Sequence, residues 1–193
     1  SGVNGTCNWK IYDNGLLLIG SGELADSGGV NPWITNSSII TDIEFEVGVY
    51  AHSNSSSLFK NLKVASFIGI KNFDTSKVTN MNNMFSGMSS LTGLDVSNFD
   101  TSNVTNMGEM FSGMSSLTEL DVSNFDTSSV TNMSTIFFGM SSLLNLDVSN
   151  FNTSKVINMN NMFYGMSSLT KLDVSNFNTS NVTNMYNMFK EMN

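Results

Sequence analysis

Four aspartates, Asp95, Asp121, Asp147 and Asp173, recur every 26 residues, each inside the hexapeptide LDVSNF. Carboxylates in register on successive units of a stack would lie about 4.8 Å apart and repel one another. Such a row must be compensated. Neighbouring Ser, Thr or backbone N–H groups could do it by hydrogen bonding, or a hard cation such as calcium could do it through oxygen ligands. The glycine-rich nonapeptide of calcium-binding β-rolls is missing, so local hydrogen bonding is expected and no metal site is assigned. A second acidic position, Asp74, Asp100 and Asp126, becomes Asn152 and Asn178 in later units. A metal ligand would lose its affinity with that charge, whereas Asp and Asn serve alike in an Asx turn or a helix cap.

Nothing in the chain assembles catalytic chemistry. His52 stands alone in a serine-rich stretch, where solvent exposure is expected, and Cys7, the single cysteine, has no partner histidine. No P-loop, HExxH or GxSxG motif is present. Four copies of one constellation are a poor substitute for one asymmetric centre. No catalytic residue and no cofactor is assigned, and the protein is not expected to be an enzyme. The net charge of −8, with eight lysines and no arginine among 193 residues, speaks against nucleic-acid binding and against an anionic membrane surface. No apolar run approaches the roughly 20 residues of a membrane helix, so membrane insertion is not expected either.

These residues are carried by an internal repeat. Phe73, Phe99, Phe125, Phe151 and Phe177 are 26 residues apart, and GMSSL recurs from Gly87, Gly113, Gly139 and Gly165. A fixed period in this range signals a solenoid, in which each unit buries its apolar face against its neighbours. Within a unit, Leu117-x-x-Leu120-x-Val122-x-x-Phe125 reads as a leucine-rich-repeat strand, with Glu119, Asp121 and Ser123 outward. Val104, Met107, Met110, Phe111 and Met114 step by three and four, which predicts a short α or 3₁₀ helix ending at left-handed Gly113. The expected fold is therefore α/β: a leucine-rich-repeat solenoid of strand and short-helix units. Six strands are predicted near 42–46, 67–71, 93–97, 119–123, 145–149 and 171–175.

Residues 1–36 do not repeat. An Asp13-Asn14-Gly15 turn between apolar runs predicts a β-hairpin, read with Trp9 and Trp33 as a cap on the array. The solenoid is assigned to 37–193, degenerate to 72 and regular over 73–193, truncated within its last unit. The open edge there invites edge-to-edge self-association.

All fourteen methionines fall in the repeats, on the predicted inward stripe where Ile136 replaces one of them, so core packing rather than soft-metal binding is expected. The row Asn80, Asn106, Asn132, Asn158 and Asn184 is expected to satisfy backbone groups between units. Positions that change from unit to unit mark where specificity could lie. They are Gly93, Glu119, Asn145 and Lys171 beside the Asp row, and Ser86, Ser112, Phe138, Tyr164 and Lys190 beside the helix phenylalanine. Phe138 and Tyr164 form a candidate exposed aromatic patch. The candidate ligand-binding set is Asp95, Glu119, Asp121, Asn145, Asp147, Lys171, Asp173, Phe138 and Tyr164.

The stretch NFDTSNVTNMGEMFSGMSSLTELDVSNFDTS resembles the repeat of BspA-like leucine-rich-repeat surface proteins of bacteria. GTCNWKIYDNGLLLIGSGEL followed by NPW resembles the region preceding those repeats. Met88, Met114, Met140 and Met166 stand where that family often has cysteine, which removes a cysteine ladder. The resemblance implies an extracellular protein of the bacterial cell surface, secreted and cell-wall-associated in Gram-positive species. It also implies adhesion to a host matrix protein, mucus or another cell through an extracellular protein or glycan ligand. A structural stalk with no ligand of its own is the alternative. A third reading, an ice- or mineral-binding surface on the row Thr75, Thr101, Thr127, Thr153 and Thr179, requires those side chains to lie flat and outward.

Overall fold

The computed structural model describes residues 1–192. The hairpin forms as its turn chemistry requires. Strands β1 (Gly2–Asn4), β2 (Cys7–Ile11) and β3 (Leu16–Ile19) are antiparallel neighbours. Between β2 and β3, Gly15 takes φ +87° and its N–H donates to the Tyr12 carbonyl at 2.9 Å. A Cβ there would sit 2.6 Å from Thr41 Oγ1 and 2.8 Å from the Ile39 carbonyl, so glycine is needed for space as well as for conformation.

β3 then pairs in parallel with β5 (Asp42–Phe45), and β5 with β7 (Ser66–Ile68), which completes a mixed five-stranded sheet of order β1-β2-β3-β5-β7. Leu17, Ile19, Ile43 and Phe45 point into the core from alternate positions. A second sheet, wholly parallel, joins the two-residue strands β4 (Gly22–Glu23), β6 (Val49–Tyr50) and β8 (Phe73–Asp74). Beyond Asp74 no further strand is found among the described residues.

The expected leucine-rich-repeat solenoid of strand and short-helix units is not what the chain forms. Among the described residues helix is about 3%, as two three-residue 3₁₀ turns at Ile34–Asn36 and Ile70–Asn72, and the larger sheet is mixed. Of the six predicted strands, 42–46 and 67–71 correspond to β5 and β7, while 93–97, 119–123, 145–149 and 171–175 are not strands. In those four segments and just past them, two donors per unit bond locally instead of across to a neighbour. Ser123 N–H goes to Asp121 Oδ1 at 2.9 Å and Phe125 N–H to the Val122 carbonyl at 3.0 Å, and equivalent bonds form in each unit.

The predicted helices are instead ribbons of consecutive turns. Met84 N–H donates to Met81 O, Ser86 N–H to Asn83 O and Met88 N–H to Phe85 O, all three residues back. Asn83 and Gly87 are left-handed, at φ +59° and +75°, and interrupt helical propagation every fourth residue. The alternate N–H groups therefore turn outward, to the next unit. Turns of this period still place Val78, Met81, Met84, Phe85 and Met88 inside, which is why the apolar stripe mimics a helix.

Residues 73–192 thus lie as successive 26-residue units in parallel register, marked by bridges Asn54–Asn80–Asn106–Asn132–Asn158–Asn184. A column of rings runs through the core. Trp33, Phe59, Phe85, Phe111, Phe137, Phe163 and Phe189 stack with centroids 5.7 to 6.1 Å apart. Each such pair adds about 0.5–1.5 kcal/mol beyond the area it buries. Methionines 81, 84, 88, 107, 110 and 114 are fully buried around the column.

Candidate functional site

The uniform interior leaves variation for the outside. The extended segments bury Leu94 and Val96, Leu120 and Val122, and Leu146 and Val148, partly bury Leu172 and Val174, and expose the two positions that alternate with them. Gly93, Glu119, Asn145 and Lys171 occupy one exposed row, and Asp95, Asp121, Asp147 and Asp173 the other. Because these segments form no ladder, open grooves separate them. One groove of about 460 Å³ is lined by Phe67, Thr92, Asp95, Thr118, Glu119 and Asp121. Another of about 350 Å³ is lined by Asn145, Asp147, Ser149, Lys171 and Asp173. Seven of the nine candidate ligand residues fall in these two grooves.

The Asp carboxylates are held by their own backbone. Oδ1 of Asp95, Asp121, Asp147 and Asp173 accepts the N–H two residues on, from Ser97, Ser123, Ser149 and Ser175, at 2.9 to 3.0 Å. Hydroxyl and amide of that serine hold Asp95, Asp121 and Asp147 below the usual carboxylate range. At Asp173 the Ser175 amide contributes most, followed by its hydroxyl. The neighbouring carboxylates push the other way: Asp147 and Asp95 on Asp121, and Asp173 on Asp147. The serine contacts win. Lys71 lies 3.4 Å from Asp95, an exposed pair of small energetic weight.

Phe138 and Tyr164 meet elsewhere. Their rings stack at 4.9 Å, half-buried, and line neither groove. Lys190 Nζ sits 5.6 Å from the Tyr164 ring centre, and the Tyr164 hydroxyl donates to Glu191 Oε1, which raises the phenol's pKa. A depression of about 620 Å³ lies on the hairpin among Trp9, Lys10, Tyr12, Leu18 and Glu46, apart from the repeated positions.

The remaining repeated polar residues hold units together. Asp74, Asp100, Asp126, Asn152 and Asn178 each accept the N–H two residues on, as Asx turns. Asn132 Nδ2 donates to Asn106 Oδ1 at 3.0 Å, and Asn132 Oδ1 accepts Ser134 N–H at 3.1 Å. Thr75, Thr101, Thr127 and Thr153 are buried, each hydroxyl donating to a carbonyl of the next unit at 3.0 to 3.1 Å. That places these four away from solvent and removes the flat Thr face an ice-binding role requires.

One row escapes a reading of the sequence. Asn98, Asn124, Asn150 and Asn176 reach back to the preceding unit, where Asn124 Nδ2 donates to the carbonyls of Val96 at 3.1 Å and Phe99 at 2.9 Å. Its signal was an asparagine kept unchanged in every LDVSNF, at a position where a neutral surface would vary. His52 is half-buried rather than exposed, its Nδ1 accepting Asn54 N–H at 3.1 Å. Buried Cys7 has its thiol pushed up to about 11 by desolvation and by Glu23, so it is inert as a nucleophile at neutral pH.

A family model described as "Mycoplasma protein of unknown function, DUF285" matches residues 53–143 and 118–193. No curated protein and no solved structure matches the chain.

Proposed function

We infer, for a chain that belongs to the family described as "Mycoplasma protein of unknown function, DUF285", a role as a non-enzymatic adhesion module. It is read as a BspA-like protein of the bacterial cell surface that takes a host matrix protein, mucus or another cell as its ligand. One observation carries the reading. Beside the grooves the Leu, Val and Asp positions keep one residue type from unit to unit, but the exposed row between them runs Gly93, Glu119, Asn145, Lys171.

A row whose chemistry changes every few ångströms on a fixed frame suits recognition of an extended protein or glycan by many weak polar contacts. Several such contacts on one ligand reinforce each other through effective concentration. The fixed Asp row supplies acceptors with their serine partners already in place, so little ordering is required on binding. A stalk would need only the interior and gives no role to this variation.

The test is saturable binding of the chain to immobilised matrix proteins, mucin and epithelial cells. The reading expects binding to at least one surface, lost in the Glu119→Ala, Asp121→Ala double variant with the fold intact. Absence of saturable binding to every surface would transfer the assignment to a stalk.

A further inference from the structure

The outward side chains of the hairpin sheet fall into three kinds, one to a strand. On β2 they are Asn8 and Lys10, followed by Tyr12 just past its end, and each carries a hydrogen-bond donor. On β3 they are Leu16 and Leu18, half-buried and outside the core. On β5 they are Asp42 and Glu44, followed by Glu46, and ionised carboxylates only accept. The other alternate positions, Cys7, Leu17, Ile19, Ile43 and Phe45, are buried on the inner side.

The strand register sets these kinds in rows across the sheet. Lys10 pairs with Leu18, and Leu18 with Glu44. Leu16 pairs with Asp42, and on its other side its carbonyl accepts the Tyr12 N–H at 2.9 Å. Gly20 N–H donates to the Asn8 carbonyl and Glu46 N–H to the Ile19 carbonyl, which carries the same order one row further. Neighbouring strands stand about 4.8 Å apart, so donors and carboxylates lie about 10 Å apart with β3 midway. Depressions of about 620 and 390 Å³ both have Tyr12 and Leu18 in their walls. Lys10 Nζ sits 4.3 Å from the Tyr12 ring centre, which holds the ammonium over this face. The half-buried Glu44 carboxylate has no hydrogen bond or ion pair among the described residues.

An occupant of this face must carry both signs of charge with an apolar stripe between them. A purely cationic segment meets Lys10, an anionic one meets Asp42, Glu44 and Glu46, and an apolar one buries charges without partners. The face itself meets the requirement. We propose that two copies of this chain pair through the outward face of β2, β3 and β5. A two-fold axis along β3 sets β2 of each copy against β5 of the other, and β3 against β3. Lys10 then faces Glu44 of the other copy, Tyr12 faces Asp42, Asn8 faces Glu46, and Leu16 and Leu18 meet their own counterparts. Every contact occurs twice, as an isologous interface requires. Sheets packed face to face cross at about −30°, so the pairs nearest the axis are the closest. Three short strands fall below the roughly 800 Å² per partner of a standard interface, so the dimer is weak. The two repeat arrays leave the shared sheets in opposite directions, which keeps the grooves of both copies open. The inference does not rest on the ligand reading and survives its failure.

The test is sedimentation velocity of the full 193-residue chain, from about 10 µM to about 1 mM, the range a small interface requires. The expected result is a monomer–dimer equilibrium within that range, weakened at about 1 M salt, where charges are screened beyond about 3 Å. Lys10→Glu and Glu44→Lys each set like charges against one another, and each should lower dimer affinity by about tenfold or more. Both side chains point outward, so each variant should unfold within a few degrees of the parent. Mixing the two variants should restore the dimer, because each supplies the sign that the other lacks. A monomer at every concentration, single variants that dimerise like the parent, or a mixture of folded variants that stays monomeric would overturn the proposal.

Discussion

The N–H of Met133 donates to the carbonyl of Asn158 at 3.0 Å, across to the next unit rather than to a carbonyl four residues back. That one bond separates the ribbon found here from the helix an apolar stripe suggests. It also makes the left-handed residue two positions on a requirement. Thr135 is held at φ +59°, where a β-branched side chain is strained, while Asn83, Asn161 and Asn187 occupy the equivalent place in other units. Thr135→Asn should stabilise the protein by about 0.5–1 kcal/mol in urea unfolding, and a loss of stability would show that Thr135 makes a compensating contact.

Two glycines at one repeated position should respond differently. A Cβ on Gly139 would meet nothing nearer than Gly113 Cα at 3.9 Å, whereas on Gly87 it would fall 2.1 Å from Asn61 Oδ1. Gly139→Ala should cost about 1 kcal/mol, the conformational term alone, and Gly87→Ala modestly more, because the exposed Asn61 amide must swing aside. Equal costs by denaturant titration would contradict the packing described around Gly87.

Asn150 should matter more than its place beside the surface suggests. Its Nδ2 serves the carbonyls of Val122 at 3.1 Å and Phe125 at 2.9 Å in the unit before it. Asn150→Ala should cost about 1–3 kcal/mol, because partly buried acceptors lose their donor. Asn145→Ala, five residues earlier on the exposed row, should stay within about 0.5 kcal/mol of the parent.

Acid should loosen the fold through the Asp rows. Asp95, Asp100, Asp121, Asp126, Asp147 and Asp173 all have folded pKa values below the ordinary carboxylate value of 3.8. Their contribution is present above that value and is lost as pH falls through the lower folded values. Stability measured from pH 6 downward, to about pH 2, should therefore decline less steeply once Asp95, Asp121, Asp147 and Asp173 are all replaced by Asn. An unchanged slope would mean the serine contacts do not persist in solution.

Much of this was legible. The alternation of Leu94 and Val96 with Gly93 and Asp95 announced which side chains enter the core, and Asp13-Asn14-Gly15 announced the hairpin. The Asx role of Asp74 followed from its replacement by Asn152 and Asn178. What a single sequence hid was backbone conformation. Asn83, Glu109 and Thr135 share a left-handed φ without sharing a residue type, so nothing at that position revealed that the stripe was a ribbon of turns. Absence of a ladder between 93–97 and 119–123 was hidden for a related reason. Alternation reports which way side chains point, and it says nothing of whether neighbouring backbones approach within bonding distance. The grooves that gather Glu119 with Asp95 and Asp121, and Lys171 with Asp147, follow from that gap.

The central claim is that the variable row in the grooves selects the ligand. Its most direct test is affinity for whichever surface the chain binds saturably, compared with the quadruple variant Gly93→Ser, Glu119→Ser, Asn145→Ser, Lys171→Ser. All four positions are exposed, so the variant should unfold at a temperature within a few degrees of the parent. The account predicts a loss of affinity of about tenfold or more. Unchanged affinity in a folded variant would contradict it and return the grooves to plain surface.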